Sequence, residues 1–258
     1  MGSQSRDQKE LTVLVTGFGP FREQYPVNPS WEIAKDLPSH LPPLRAKDAG
    51  SRDAPDTPPV RIIVHPEPIR VNYSVVRALV PSFWDTTHDG RAVDIAVHIG
   101  MAGPRPFYQL ERRAHRRGYR SLDVDNELPA EGAEGRPDDD AWIWHGLPDE
   151  ILTDVDVDDV YRRWRGHSSK DMDLRVSEDP GRYLCDFIYY SSLAHLWKAR
   201  RPRKVVFLHV PSDASGEFVA RGRELAVNLI RALAESETAA REEALRDAAA
   251  GQGASDKS

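Results

Sequence analysis

DIAVHIG, residues 94–100, is the stretch on which the fold turns. Past Asp94 it is apolar or glycine except for His98, with no polar alternation, and such a run suits a strand buried on both faces of a sheet. LTVLVT (11–16), ending at Gly17, VRIIVHP (60–66) and KVVFLHV (204–210) have the same character. Segments of helical spacing lie between them. Residues 71–80 place Tyr73, Val76, Leu79 and Val80 on one side, Pro180-Gly181 opens a helical stretch to residue 197, and 217–233 is amphipathic with an extension toward residue 246. This alternation predicts an α/β fold, a three-layer αβα sandwich around a mostly parallel or mixed sheet.

The rest of the chain is read around that frame. Ser30 is the expected N-cap of a helix over 31–37, and Pro81 the expected end of the 71–80 helix. Residues 38–59, rich in Pro, Ser, Asp and Gly, form a surface excursion. Residues 106–117 begin as a strand or an irregular segment. Residues 126–173 are acidic with interspersed tryptophans, and only 151–152 and 160–164 suggest short elements. The resulting organisation is a disordered N-terminus (1–10), one domain (11–233) carrying the excursion at 38–59 and an acidic insertion at 127–173, then a helical extension and disordered tail (234–258).

Composition narrows the function classes. The 258 residues are 40% hydrophobic and 29% charged, the balance of a soluble globular chain long enough to bury a core. A net charge of −6 argues against a nucleic-acid partner. No apolar run reaches the roughly 18 residues of a membrane span, and residues 1–10 lack the apolar core of a signal peptide. Cys185 is the single cysteine, so an intramolecular disulfide is impossible and a cytoplasmic location is expected. The nine histidines have no metal-ligand spacing, and neither a metal nor a cofactor is expected. Gly17-Phe18-Gly19 lacks the third glycine of a dinucleotide fingerprint. The alternating Asp154, Asp156 and Asp158 fail as a calcium loop, since the required Gly and Glu positions hold Asp159 and Arg165.

Four features can carry chemistry, each with a plain structural alternative. Cys185 falls near the start of its helix, where free N–H groups favour a thiolate and an oxyanion, although a lone intracellular cysteine is often a small buried hydrophobe. His209 stands near the C-terminal end of its strand, where open α/β sheets place their sites, or is a satisfied core histidine. His98, nearer mid-strand, reads as core. Glu111 lies beside the basic run from Arg112 to Arg120, where a surface ion pair is the ordinary outcome. That run reads as a solvated or partner-facing strip. Phe18 and Phe21 flank Gly19-Pro20 and either wall a small pocket or staple the loop to the core.

Taken together, several segments resemble one known family. VLVTGFGPF…NPSW (13–31), HIGMAGPR (98–105), LERRAHRRGYRSLDVDN (110–126), PGRYLCDFIYY (180–190) and VVFLHVP (205–211) are similar to signatures of pyroglutamyl peptidase I, the C15 cysteine peptidases, in the family's order. The resemblance implies a triad with Cys185 as nucleophile, His209 as base and Glu111 orienting the histidine. It implies cleavage of an N-terminal pyroglutamyl (5-oxoproline) residue from peptides without metal or cofactor. Phe18, Phe21, Tyr183, Leu184, Leu122 and Met101 match its substrate pocket, and Arg120 its active-site arginine. Family members act as monomers or tetramers, so a homo-oligomer is among the expectations.

The chain also departs from the family pattern, in the manner of a divergent, fungal-type branch. Arg22 follows Phe21 where glycine is usual, Met101 and Pro104 alter the glycine turn, and Asp186 replaces the asparagine after the nucleophile. Asp186 is expected to point outward, since an inward carboxylate would oppose a thiolate. Two rivals stand beside the peptidase: a non-catalytic binding protein that keeps the pocket, and an amidase for another small blocked or cyclic amide.

Overall fold

The computed structural model describes residues 9–44, 57–88, 90–129 and 137–255. Among the described residues eight strands are present: β1 (Leu11–Gly17), β2 (Val60–Val64), β3 (Ile95–Met101), β4 (Tyr108–Glu111), β5 (Arg113–His115), β6 (Glu150–Leu152), β7 (Leu174–Ser177) and β8 (Val205–Val210). Six of them form one sheet in the order β2-β1-β3-β8-β4-β7, while β5 and β6 pair as a separate antiparallel ribbon. Neighbours in the large sheet are parallel except β8 and β4. The sheet is therefore mixed, and its one antiparallel junction joins the strands that carry His209 and Glu111.

The continuous apolar strands are covered on both sides, as their composition requires. Val206, Leu208 and Val210 of β8 face one hydrophobic core, and Val205 and Phe207 face the other. The first core lies beneath α1 (Pro29–Ala34), α3 (Val157–His167) and α5 (Gly216–Ser255). The second lies beneath α2 (Tyr73–Asp85) and α4 (Leu184–Lys198). The three-layer αβα expectation holds.

Several local expectations are corrected. Asn28, not Ser30, caps α1, its side chain accepting from the Ser30 N–H at 3.1 Å. Pro81 lies inside α2 rather than ending it, and the helix continues to Asp85. Phe83 and Trp84 are buried in that last turn, and their burial offsets the one hydrogen bond proline cannot make. β7 was not anticipated: four residues with only Leu174 and Val176 apolar give too short a pattern. The acidic insertion is built into the domain, with Trp142 and Trp144 in the α4-side core and Trp164 in the α5-side core. Much of the arginine run is paired within the chain, although only Arg116 is buried and Arg120 is exposed. Arg112 bonds Asp158 and Glu178, Arg113 bonds Glu150 and Glu178, and Arg116, itself buried, bonds Asp138 and Asp149.

The surface excursion begins pinned to the sheet edge, with the Leu41 N–H donating to Val60 and Ser39 accepting from Ile62, both at 2.9 Å. Its residues 45–56 lie outside the described residues, as do 1–8 of the expected N-terminal segment. α5 runs through Ser255, so residues 251–255, read as tail, continue the helix, and 256–258 lie outside the described residues.

Candidate active site

The sheet register places the site. His209 of β8 stands opposite Gly100 of β3 on one side and Gln109 of β4 on the other, and Glu111 stands opposite Phe207. Directly paired residues, and residues two apart, share a face. Gly100, Phe207, His209 and Glu111 therefore all face the layer that holds α4. Cys185 is the second residue of that helix.

His209 Nδ1 donates to Glu111 Oε1 at 2.7 Å, and both side chains are buried. The carboxylate fixes the proton on Nδ1, which turns Nε2 toward the nucleophile. His209 also hydrogen-bonds the Cys185 side chain. Burial alone would lower the imidazole pKa, but the Cys185 charge and hydrogen bond, with those of Glu111, outweigh it and raise His209 to about 9. The arrangement favours the imidazolium form of His209 between Glu111 and Cys185. Among the described residues Glu111 Oε2 is buried without a hydrogen-bond partner, so His209 is the group that answers this carboxylate.

The thiol sits at a tight crossing. A Cβ on Gly100 would lie 2.9 Å from Cys185 Sγ and 2.5 Å from Phe207 Cζ, so only glycine lets the helix approach β3 this closely. The partly exposed thiol thus lies over the middle of the sheet. Sequence reasoning missed this role, although a glycine within an apolar strand signals close approach.

The first turn of α4 supplies donors. Tyr183 is its N-cap and makes no side-chain cap, and the first intrahelical bond runs from the Phe187 N–H to the Tyr183 carbonyl at 2.9 Å. The N–H groups of Leu184, Cys185 and Asp186 have no partner within the helix and, with the helix dipole, favour negative charge beside the thiol.

Asp186 points inward, contrary to expectation, and is fully buried. Its Oδ1 accepts the His115 N–H at 3.0 Å, and its Oδ2 has no hydrogen-bond partner. Burial raises its pKa against the opposing pull of His115 and Arg182. Tyr189, one turn on, donates to the Glu111 carbonyl at 3.0 Å. These bonds, with a longer one from His115 Nδ1 to Asp186 Oδ1 at 3.4 Å, tie the nucleophile helix to the segment bearing Glu111.

The remaining expected site residues divide. Phe21 and Tyr183 have ring centroids 6.2 Å apart, and Tyr183 meets Tyr73 edge-on at 6.0 Å, forming a half-buried aromatic wall next to Cys185. Phe18 is buried, bridged to Ile69, with its N–H on Ser30 Oγ at 3.0 Å, so it also staples the loop. Met101 ends β3 one residue beyond Gly100 and is buried. Leu184 lies in the α4-side core. Leu122, 51% exposed, and Arg120, also exposed, are not walled into a pocket. Tyr73, which sequence reading treated as a helix-face residue, donates to the Ser121 carbonyl at 2.9 Å and braces the wall from behind.

No family model matches the chain. Individual relatives do. Pyroglutamyl-peptidase 1 of Rattus norvegicus is 32% identical over 205 residues, covering 80% of this chain and 81% of that protein. The chain belongs to the pyroglutamyl peptidase I family, the C15 cysteine peptidases. Pyrrolidone-carboxylate peptidase 1 of Ralstonia nicotianae is 28% identical over 208 residues, 80% of this chain and 81% of that protein. The fold is shared with solved members of the family. Pyrrolidone carboxyl peptidase from Thermococcus litoralis superposes with a TM-score of 0.62 at 16% identity, covering 86% of this chain and 93% of that one. The enzyme from Fervidobacterium islandicum gives 0.58 at 24% identity, covering 87% and 97%. Among the described residues, no helix of this C15 family member is long and apolar enough to cross a membrane.

Proposed function

We propose that this protein removes an N-terminal pyroglutamyl residue from peptides, with Cys185 as nucleophile, His209 as acid and base, and Glu111 as the group that holds His209. The observation that carries the reading is the 2.7 Å Glu111–His209 bond on the strand pair beneath the Cys185 helix turn. Sequence relatives named for this activity support the substrate class.

The chemistry follows from these groups. The Cys185 thiolate, paired with the His209 imidazolium, attacks the pyroglutamyl carbonyl carbon. The first-turn N–H groups of α4 receive the developing oxyanion. The C–N bond breaks as His209 gives its proton to the departing amine, leaving a Cys185 thioester. His209 then takes a proton from water, which hydrolyses the thioester and releases pyroglutamate. Glu111 keeps the imidazole tautomer and stabilises the imidazolium throughout. Phe21 and Tyr183, packed in one cluster with Phe18, offer an aromatic wall suited to an uncharged lactam. A nucleophilic thiol must stay reduced, which fits a cytoplasmic location. The substrate in this reading is a peptide, as in the relatives named for this activity.

The test is amine release from a pyroglutamyl anilide under reducing conditions, with and without iodoacetamide. The reading predicts turnover that the alkylator abolishes. Absence of turnover, with hydrolysis of some other blocked aminoacyl anilide in a parallel panel, would replace it with the amidase reading.

A further inference from the structure

Arg22 is an exposed cation beside the site with no acidic partner among the described residues. Its guanidinium lies over the Phe21 ring, 5.4 Å from the centroid. Phe21 is in turn held between Tyr25, 6.3 Å away and stacked, and Tyr183, two residues before the nucleophile. A turn closed by the Tyr25 N–H on the Arg22 carbonyl at 2.9 Å fixes this placement. Arg112, Arg113 and Arg116 each find carboxylates, whereas none pairs with Arg22 among the described residues, although Glu23 adjoins it. Asp123, the buried acid facing Tyr183, is already committed to the N–H groups of Tyr73, Asp125 and Glu127. Seated on Phe21, whose ring meets Tyr183 at 6.2 Å, the Arg22 guanidinium lies at the rim of the aromatic wall.

A pyroglutamyl substrate has one route out of such a pocket. Its amine is closed into the lactam, so the rest of the peptide extends only from the carbonyl that Cys185 attacks. That chain must pass the rim, and each extended residue covers about 3.3–3.6 Å. We propose that Arg22 forms an anion subsite at this rim, which favours substrates carrying an acidic residue directly after the pyroglutamyl group. The inference rests on the pyroglutamyl-peptidase reading and adds to it a leaving-side preference.

The test compares kcat/KM for pyroglutamyl-glutamyl, pyroglutamyl-glutaminyl and pyroglutamyl-lysyl amides in the wild type, Arg22→Ala and Arg22→Glu. An exposed ion pair supports a glutamyl-over-lysyl ratio of about three- to fivefold in the wild type. That ratio should shrink as salt rises, approach one in Arg22→Ala and invert in Arg22→Glu. Thermal melts check that the loop variants remain folded. Hydrolysis of all three amides with a wild-type ratio near one, or a ratio unchanged in Arg22→Glu, overturns the subsite and leaves the peptidase reading standing. Hydrolysis of none of them by the wild type overturns both.

Discussion

Glu111 and His209 share a 2.7 Å hydrogen bond across the one antiparallel junction of the sheet. The bond is buried, and among the described residues the second Glu111 oxygen has no hydrogen-bond partner. The carboxylate is therefore matched to an imidazolium rather than to a general polar environment, and removing either partner leaves a buried charge uncompensated.

That pairing has a pH signature. His209 is raised from 6.5 to about 9, by Cys185 and Glu111 acting against burial. A raised pKa means that its stabilising contribution is complete below pH 6.5 and is lost as pH rises through about 9. The kcat/KM profile should fall over the same alkaline range as the imidazolium loses its proton. In Glu111→Gln the limb should move to lower pH and kcat should drop roughly 10²-fold. A Glu111→Gln profile superimposable on the wild type would remove Glu111 from the site.

Gly100 should tolerate no side chain. The alanine Cβ would stand 2.5 Å from Phe207 Cζ and 2.9 Å from Cys185 Sγ. Gly100→Ala is expected to lose about 1–3 kcal/mol of stability by overpacking. It should also lose at least tenfold in kcat under conditions where the variant is fully folded, measured by denaturant titration beside the assay.

Asp186 should act through geometry rather than charge. Asp186→Asn keeps an acceptor for the His115 N–H and removes a carboxylate whose burial already disfavours its charged form. It should keep most activity. Asp186→Ala leaves that N–H unpaired, at a cost of about 1–3 kcal/mol, and leaves only the Tyr189 bond to hold the helix to the Glu111 segment. Equal losses in the two variants would assign the role to the charge instead.

His98 makes a separate prediction about acid stability. It is buried between Thr16 Oγ1 at 2.8 Å and Ser192 Oγ at 2.9 Å, and burial lowers its pKa from 6.5 to about 3. A depressed histidine contributes stability above pH 6.5, and that stability is lost as pH falls through about 3. His98→Leu should cost about 1–3 kcal/mol at neutral pH through the orphaned hydroxyls. It should also unfold with a shallower pH dependence between 6.5 and 5, as read by melts across that range.

What could be read from the chain follows from how much each segment says by itself. β1, β3 and β8 are continuous apolar runs, and their reading carried the three layers and the place of His209. β7 has two apolar residues in four, too few for any period to emerge. Trp142 and Trp144 are core residues set in an acidic stretch, where local composition conceals the long-range packing that buries them. Asp186 was misplaced because α4 is buried nearly all round and offers no polar face from which direction could be judged. Glu111 carried no local mark: only its pairing across to His209, 98 residues away, distinguishes it from the surface ion pairs of its arginine neighbours.

The central claim is that Cys185 carries the pyroglutamyl group between the two halves of the reaction. Acid quenching during turnover of a pyroglutamyl substrate, followed by peptide-mapped mass spectrometry, tests it most directly. The account predicts a pyroglutamyl thioester on the peptide containing Cys185, absent from Cys185→Ala, which is folded and inactive. Sustained turnover by Cys185→Ala would contradict it.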